Sequence, residues 1–423
     1  MTTTDHTRGT GGFCCDEYAA MHAATYGKVS RRGFLGGALA LAGATTMVGG
    51  AVVTASPARA QSASAVLVVL SLRGAADGLS LVVPHGDPVY YAARPRIAVP
   101  SDRLLVKDGF FGLHPAMTDL EPLWTAGKLA AVHATGLPVA NRSHFSAMEE
   151  MEDADPGSSV RVGWLNRLVA GTPGGSPLQG FSAGSSTIPT SLVGPAPTMS
   201  AGRADDVELP GNDREGRRRA SLQIMWNSEK STLGRSMRDT FAAIDAFGPA
   251  QAAEDNRGDY PGTDVGQGLA TAAQIIRGDV GVEVITVDQG DWDMHTDMGS
   301  ADGGWMANNA RNLAQAMAAF LNDLGTQESK VTLVTMSEFG RRVVENDSNG
   351  TDHGYGNVMF VAGAGVRGGY HGRWPGLANS YEADLTVTTD YRQVLADIVS
   401  RRFGASVPKV FPGLHWQSTG VMA

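Results

Sequence analysis

Cysteine is nearly absent from this chain, and its absence restricts the possible chemistry. The 423 residues include two cysteines, the neighbours Cys14 and Cys15. Both lie in an N-terminal segment that has the pattern of a cleavable export signal, so the mature part has no thiol. Disulfide bonds, a thiolate nucleophile and cysteine metal ligands are therefore excluded from the mature part.

Basic residues are also few. Lysine and arginine number 34 against 43 acidic residues, which gives a net charge of −9, and no basic stripe is interleaved with aromatic residues. Nucleic acid is therefore not an expected partner. Only 18% of the residues are charged and 42% are hydrophobic. Such a chain is globular and long enough for one large or two ordinary domains.

The first sixty residues have the three parts of an export signal. Arg31-Arg32 precedes an uncharged stretch, 34–53, and the small-x-small pattern Ala58-Arg59-Ala60 follows. This order predicts a twin-arginine signal peptide over residues 1–60, cleaved after Ala60. A membrane anchor is the alternative, since an uncharged stretch of about twenty residues can just span a bilayer. Five glycines within 34–53 and the cleavage pattern disfavour the anchor.

A signal of this kind determines where the protein works. We expect the twin-arginine translocase to export the chain already folded, often with a metal or cofactor inserted. The destination is then the periplasm, the cell envelope or the medium. No stable membrane span remains after cleavage.

Apolar runs typical of buried strands alternate with helical patterns along residues 61–423. The predicted strands include Ala65–Leu72, Leu129–His133, Val282–Asp288, Val331–Met336 and Val358–Ala362. This alternation predicts a single α/β domain, a doubly wound and mostly parallel sheet with helices on both faces. Gly, Ser, Pro and Thr are frequent from 171 to about 210, and we expect an irregular insertion at about 171–264.

Acidic residues and histidines follow the predicted strands, where the chemistry of open α/β sheets collects. Because aspartate, glutamate and histidine occur here without cysteine, they suit a divalent ion such as Zn, Mn or Mg. A cluster of carboxylates would also be costly to bury without a cation. The candidate metal ligands are Asp77, Asp291, Asp293, His295, Glu338, Asp352 and His353.

Ser143 begins a predicted helix after the second strand and allows two interpretations. Its hydroxyl suits a helix N-cap. It also suits a nucleophile held at a helix N-terminus, where backbone N–H groups favour an anion. Arg142 beside it suits a phosphate or sulfate oxygen, and His144 and Arg341 are candidates for contact with the substrate.

Several short blocks resemble the signatures of domain-of-unknown-function family 1501. They are Leu72–Leu79, Gly112–Pro115, Arg142–Phe145, Trp292–His295, Ser337–Arg341 and Gly350–Gly354. The resemblance implies an alkaline phosphatase/sulfatase-like fold. In that superfamily two divalent cations usually surround a Ser, Thr or modified Cys nucleophile.

Carried over by position, Ser143 resembles the superfamily nucleophile and His353 its last histidine ligand. Asp291 and His295 have the spacing of one metal's ligands, although Asp293 is the acid associated with this family. Two departures concern the metal sites: Phe339 stands where a histidine ligand is often found, and Asp77 lies beyond its strand end. Both one and two metals are therefore compatible with the sequence.

These features predict an exported, metal-dependent hydrolase that acts on small anionic esters of phosphate or sulfate. A non-catalytic secreted binding protein on a hydrolase-like fold, with a partial metal site, is the alternative. A third hypothesis is a purely structural cation site that stiffens the loop 338–354.

Overall fold

One large sheet forms the centre of the molecule. The computed structural model describes residues 45–48, 51–54, 62–172, 175–209 and 216–423. Its strands are β1 (Thr45–Val48), β2 (Ala51–Thr54), β3 (Val66–Leu72), β4 (Val82–Val83), β5 (Gly112–Leu113), β6 (Leu129–Gly136), β7 (Gly180–Ala183), β8 (Met199–Ala201), β9 (Val284–Gln289), β10 (Val331–Met336), β11 (Asn357–Gly363), β12 (Gly369–His371) and β13 (Thr389–Asp390).

Most neighbouring strands of the large sheet run parallel. In space it runs β1-β2-β8-β7-β9-β3-β10-β11-β6-β12, with β13 beside β6, while β4 and β5 form a separate pair. From β8 to β10 every neighbouring pair is parallel. Strand β11 runs antiparallel between β10 and β6. The predicted fold class is therefore confirmed, with two reversed strands, β11 and, towards the other end of the order, β2.

Helices connect the strands. They are α1 (Gly78–Leu81), α2 (Pro88–Ala93), α3 (Glu121–Thr125), α4 (His144–Asp153), α5 (Trp164–Ala170), α6 (Arg217–Asn227), α7 (Thr232–Ala252), α8 (Asp264–Arg277), α9 (Trp305–Asp323), α10 (Tyr391–Phe403) and α11 (Val407–Val410). Short 3-10 turns cover Ser101–Arg103, Pro115–Leu120, Thr190–Leu192, Ala204–Asp206, Arg257–Asp259 and Gly325–Lys330.

Strand β3 shows that both faces of the sheet are covered. Its side chains alternate between the faces, as in any strand. Val68 and Leu70 belong to a hydrophobic cluster that contains α8 and α9, whereas Leu67 and Val69 belong to one that contains α5 and α10. This two-sided burial explains why β3 reads as a continuous apolar run in the sequence.

The predicted insertion at about 171–264 is more regular than expected. Strand β7 pairs in parallel with β9, and β8 pairs with β7, so this segment extends the sheet. The strand sequences Gly-Phe-Ser-Ala and Met-Ser-Ala are too short and too small to stand out from their surroundings. Helices α6 and α7 follow, where the sequence predicts a long polar helix.

Part of the predicted signal peptide lies at the edge of this sheet. Strands β1 and β2 form an antiparallel pair, and β2 pairs with β8. The twin arginines and the cleavage pattern lie outside the described residues. Cleavage after Ala60 would remove the hairpin and leave β8 at the edge. No helix in the described part of the chain has the length and apolarity needed to cross a bilayer.

Candidate metal centre

The strand order brings four distant segments to one edge of the sheet. Strands β9, β3, β10, β11 and β6 lie side by side. Asp293 and His295 follow β9, Glu338 follows β10, His353 leads into β11, and α4 after β6 begins at His144. Because β11 is antiparallel to its neighbours, its start lies at the edge where they end. The segments therefore meet.

Three imidazole rings point their Nε2 atoms at one another. His353 Nε2 lies 3.0 Å from His144 Nε2 and 3.0 Å from His295 Nε2. Asp293 Oδ1 is 3.0 Å from the Nε2 atom of His295, 3.5 Å from that of His353 and 3.6 Å from that of His144. Four donor atoms from three parts of the chain thus surround one point.

The other nitrogen of each ring is held by an oxygen. The Nδ1–H of His144 donates to Glu338 Oε1 at 3.0 Å, and that of His295 donates to Asp352 Oδ1 at 3.1 Å. The Nδ1–H of His353 donates to the carbonyl of Arg142 at 2.9 Å. Carboxylate and carbonyl oxygens only accept, so each Nδ1 carries a proton; each Nε2 then presents a lone pair when its ring is neutral and a second N–H when the ring is protonated.

This donor set fits a divalent metal. Lone pairs on three neutral imidazoles and one carboxylate repel one another unless a cation lies between them. A tetrahedral zinc site with Zn–N distances of about 2.0–2.1 Å places neighbouring ligand atoms about 3.3 Å apart. The distances here, 3.0 to 3.6 Å, bracket that value. Metal-bound histidines also typically donate their second nitrogen to an oxygen, as all three do.

The pKa shifts show how strongly these groups are coupled. Burial opposes ionisation of Asp293, but hydrogen bonds from His144, His295 and His353 outweigh it and hold its pKa far below the usual range. Burial also opposes protonation of His144, yet Asp293 and Glu338 raise its pKa to about 9. The pKa of His353 is lowered, chiefly by burial. A positive charge is thus strongly favoured at this point.

Arg341 lies beneath Asp293 and is fixed by backbone oxygens. Its Nη2 donates to Asp293 Oδ1 at 2.7 Å and to the carbonyl of Gly74 at 2.5 Å, and its Nε donates to that of Ala75 at 2.6 Å. The side chain is buried. The guanidinium thus orients Asp293 and ties the loops together, and the contact of Arg341 with a substrate stays a prediction.

Glu338 and Asp352 lie on the outer side of the rings, where each accepts a hydrogen bond from an Nδ1–H. Glu338 Oε1 also accepts from the Gly74 N–H at 2.7 Å, while Asp352 Oδ1 accepts from Asn346 Nδ2 at 3.0 Å. Both were predicted as metal ligands, whereas the structure uses them to orient His144 and His295. Phe339, the departure noted in the sequence, packs against the rings of His144 and His353, with centroid distances of 4.9 and 5.0 Å.

Ser143 and Arg142 stand at the start of α4, next to the cluster. Ser143 is the N-cap of α4: its Oγ accepts from the Ser146 N–H at 3.5 Å. The Arg142 guanidinium is ion-paired with Asp384. The carbonyl of Arg142 is the part that holds His353. The observed contact of Ser143 is therefore that of a helix cap. Its hydroxyl is half-buried, and the next residue is the candidate ligand His144.

The structure does not bring Asp77 or Asp291 into the cluster. Asp77 is buried in an ion pair with Arg94, with 2.5 Å between Oδ2 and Nη1, and it also accepts from Ser80 Oγ at 2.6 Å. Asp291 is exposed and lines a separate polar pocket with Gln289 and Asn309. Of the two acids that the sequence left open, Asp293 is the one beside the rings.

His144 is the residue whose role sequence reasoning missed. It was expected to contact the substrate, but its Nε2 belongs to the central group. Within the described ranges, His144, Asp293 and His353 form a group with donor atoms all within 4.8 Å of one another. The available signal was the position of His144 at the first helix start after strand β6, on the connection that leaves the carboxyl end of that strand.

The comparisons with known proteins agree with the family resemblance of the short sequence blocks. Residues 123–401 match the profile of a family described as "Protein of unknown function (DUF1501)". None of the curated proteins matches the chain.

Several solved structures are similar to the chain. A protein in the alkaline phosphatase superfamily from Vibrio parahaemolyticus has 13% identity and a TM-score of 0.33, over 83% of this chain and 73% of that one. The lipoteichoic acid synthase LtaP from Listeria monocytogenes has 8% identity and a TM-score of 0.31, over 74% and 69%. The alkaline phosphatase of the Antarctic bacterium TAB5 has 11% identity and a TM-score of 0.28, over 72% and 93%. At such TM-scores, function has to be inferred from the side chains of this chain.

Proposed function

The chain belongs to the DUF1501 family, and we propose that it is a metal-dependent hydrolase of phosphate or sulfate esters. One observation carries the proposal. Three imidazole Nε2 atoms converge on Asp293 Oδ1, and an oxygen holds the opposite nitrogen of each ring. An arrangement that leaves every lone pair directed at one point is costly without a cation and well suited to one.

His144, His295, His353 and Asp293 would hold the metal. Imidazole donors favour zinc over manganese and magnesium, which suit oxygen ligands better. When bound, the metal supplies a Lewis acid that polarises the ester and lowers the pKa of an attacking hydroxyl. We therefore assign the divalent cation predicted from the sequence to a centre of these four donors. Glu338 and Asp352 would keep the rings of His144 and His295 oriented.

The start of α4 gives the anion a place to bind. The first turn of a helix presents free backbone N–H groups and the positive end of its dipole. Ser143 caps this turn directly before His144, so an anion bound there lies close to both the hydroxyl and the centre. The net reaction adds water across the ester: an oxygen bonds to phosphorus or sulfur, and the alcohol leaves with a proton. A water molecule provides the attacking oxygen directly, or Ser143 attacks first and water then cleaves the Ser143 ester, which releases phosphate or sulfate and restores the hydroxyl.

The experiment combines metal analysis with a substrate panel. The purified chain should contain zinc or manganese in about a one-to-one ratio, as one four-donor centre implies. EDTA should remove the metal and stop hydrolysis of phosphomonoesters, phosphodiesters or sulfate esters, and the metal should restore it. His353→Ala should lose both metal and turnover, whereas the matched variant His415→Ala, at an exposed position, should keep both. A folded protein that binds no metal would refute the proposal.

A non-catalytic binding protein is the second candidate, and Phe339 is the observation that favours it. This buried side chain covers one side of the His144 and His353 rings, where the related pattern has another ligand. A centre closed on that side can serve to fix the loops alone. Stoichiometric metal without turnover of any ester in the panel would support this candidate and exclude the hydrolase.

We also propose that residues 1–60 direct export. The pattern Arg31-Arg32, the uncharged stretch 34–53 and the pattern before residue 61 support it. Fused to a folded reporter, residues 1–60 should deliver it across the membrane in cells with an intact twin-arginine translocase. The double variant Arg31→Lys/Arg32→Lys should leave the reporter inside, and equal export of both would contradict the proposal.

A further inference from the structure

A pocket of about 230 Å³ lies beside the candidate metal centre. One face of α4 forms a wall of it, since Phe145, Met148, Glu149 and Glu152 recur at the spacing of neighbouring helical turns. The residue before Phe145 is His144, a proposed ligand. The same helix therefore serves the pocket with one face and the centre with another.

A second segment, around Arg73, also contributes to both the pocket and the surroundings of the metal centre. Arg73 lines the pocket and directly precedes Gly74. The Gly74 N–H donates to Glu338 Oε1, which in turn accepts from His144 Nδ1. Two lining residues of the pocket, Phe145 and Arg73, are thus next in the chain to His144 and to Gly74. The pocket is then in the position expected for the part of an ester that leaves when the bond is cut.

The charge of the pocket restricts what it can hold. Arg73 Nη2 lies 2.8 Å from Glu152 Oε1 and 3.0 Å from Asp288 Oδ1, and all three side chains are largely buried. One guanidinium faces two carboxylates, which leaves a net negative charge when both are ionised; burial raises the pKa of Glu152 and the charge of Arg73 opposes that rise. Glu149 lies at the rim, where Arg161 at 3.4 Å balances its charge. An anionic group would be repelled here, and a cationic one attracted.

The apolar part of the lining restricts the class of cation that the pocket can bind. Phe145 is 42% exposed and faces the pocket with Met148, Ile188 and Pro189. Small, strongly hydrated cations gain little from such a surface. A methylated ammonium group gains from the aromatic face and from the alkyl contacts, and its charge is balanced by the carboxylates.

We propose that this pocket binds an alkylammonium group, so that the substrates are phosphate or sulfate esters of cationic amino alcohols. The inference rests on the proposed function for the ester and on the pocket alone for the ammonium group. The anion is held at the start of α4 and the cation between Phe145 and the acidic floor. An ester that carries both an anionic and a cationic group would occupy both parts of the site.

Binding and turnover test the two parts separately. In the binding arm, the full chain is titrated with choline and with its neutral isostere 3,3-dimethyl-1-butanol. Choline should bind about tenfold more tightly, given the charge and the aromatic contact. Glu149→Gln, at a partly exposed rim position, and Asp288→Asn should each weaken choline binding severalfold. Asp205→Asn, an exposed acid that does not line the pocket, should leave it unchanged.

In the turnover arm, choline phosphate and choline sulfate are compared with the 3,3-dimethylbutyl esters on the metal-loaded protein. The kcat/KM ratio should favour the choline ester about tenfold, and Asp288→Asn should reduce that ratio. Choline binding without turnover of any ester would support the pocket and overturn the hydrolase. Turnover with equal use of both esters, or no preference for choline in binding, would overturn the pocket assignment.

Discussion

Replacing Glu338 by glutamine tests whether the outer carboxylates hold the rings for a metal. Glu338 is 1% exposed and accepts from His144 Nδ1 at 3.0 Å and from the Gly74 N–H at 2.7 Å. Burial raises its pKa, but the hydrogen bond and charge of His144 lower it more, so the carboxylate is ionised. Glutamine keeps the shape, loses the charge and adds two donors.

The expected loss follows from what the carboxylate does for the ring. Its charge makes His144 Nε2 a stronger donor, and its position sets the ring's orientation. Removing an outer partner of this kind typically weakens metal binding 10–100-fold, or about 1.4–2.7 kcal/mol. Because Glu338 is buried and bonded to both ring and backbone, we expect about the upper value. Glutamine can also turn its amide nitrogen towards Nδ1–H, which would leave two donors facing each other.

Competition with a chromophoric chelator measures the affinity for Zn²⁺ or Mn²⁺ directly, and circular dichroism checks the fold. The matched control is Glu328→Gln, which changes an exposed glutamate paired with Lys128 and should leave the affinity unchanged. If folded Glu338→Gln protein binds metal as tightly as the wild type, the reasoning about the rings is refuted.

Three further predictions concern stability, a predicted ligand and the nucleophile. Burial lowers the pKa of His133 to about 3 and of His114 to about 4, from 6.5. The unfolded chain therefore takes up protons first as pH falls below 6.5, and stability drops by about 2 kcal/mol per histidine by about pH 5. Urea unfolding should show a shallower pH slope for His133→Gln, and an identical slope would contradict this account. Asp77→Ala leaves the buried Arg94 unpaired and should cost about 3–5 kcal/mol of unfolding free energy. Its metal content should stay unchanged, and a loss of metal would make Asp77 a ligand after all. Ser143→Ala should cost about 1 kcal/mol as a lost cap, whereas Ser143→Asp keeps the cap. Turnover by Ser143→Asp at the wild-type rate would end the nucleophile assignment in favour of water, while loss in both variants with metal retained would support it.

The sequence predicted the fold class because the signals involved are local. Residues 66–72 and 331–336 are apolar runs that need no distant partner to be recognised, and both are strands. Helix starts were visible for the same reason: Ser143 caps α4 and His114 caps the turn Pro115–Leu120 with its own side chains. Strands β7 and β8 escaped because a segment of three or four small residues carries little signal by itself.

The candidate site was predicted only as a set of residue types at strand ends. Asp291 and Asp293 are two positions apart and chemically identical, so nothing local separates them. In the folded chain Asp291 has a positive φ of 65° and is exposed, while Asp293 is buried against Arg341. The turn between them decides which carboxylate meets the rings, and in that turn the Trp292 N–H donates to the carbonyl of Arg73, from a distant part of the chain.

Three features could be read from the amino-acid order alone: an α/β sheet, no thiols in residues 61–423, and histidines and acids after several strands. These follow from composition and from periodicities of a few residues. The tertiary structure decided which atoms meet. His144 and Glu338 are 194 positions apart, and strand order places His144 Nδ1 against that carboxylate and turns Nε2 towards His295 and His353. Ring orientation depends on contacts between distant segments, and for that reason the candidate metal centre could be defined only in the folded chain.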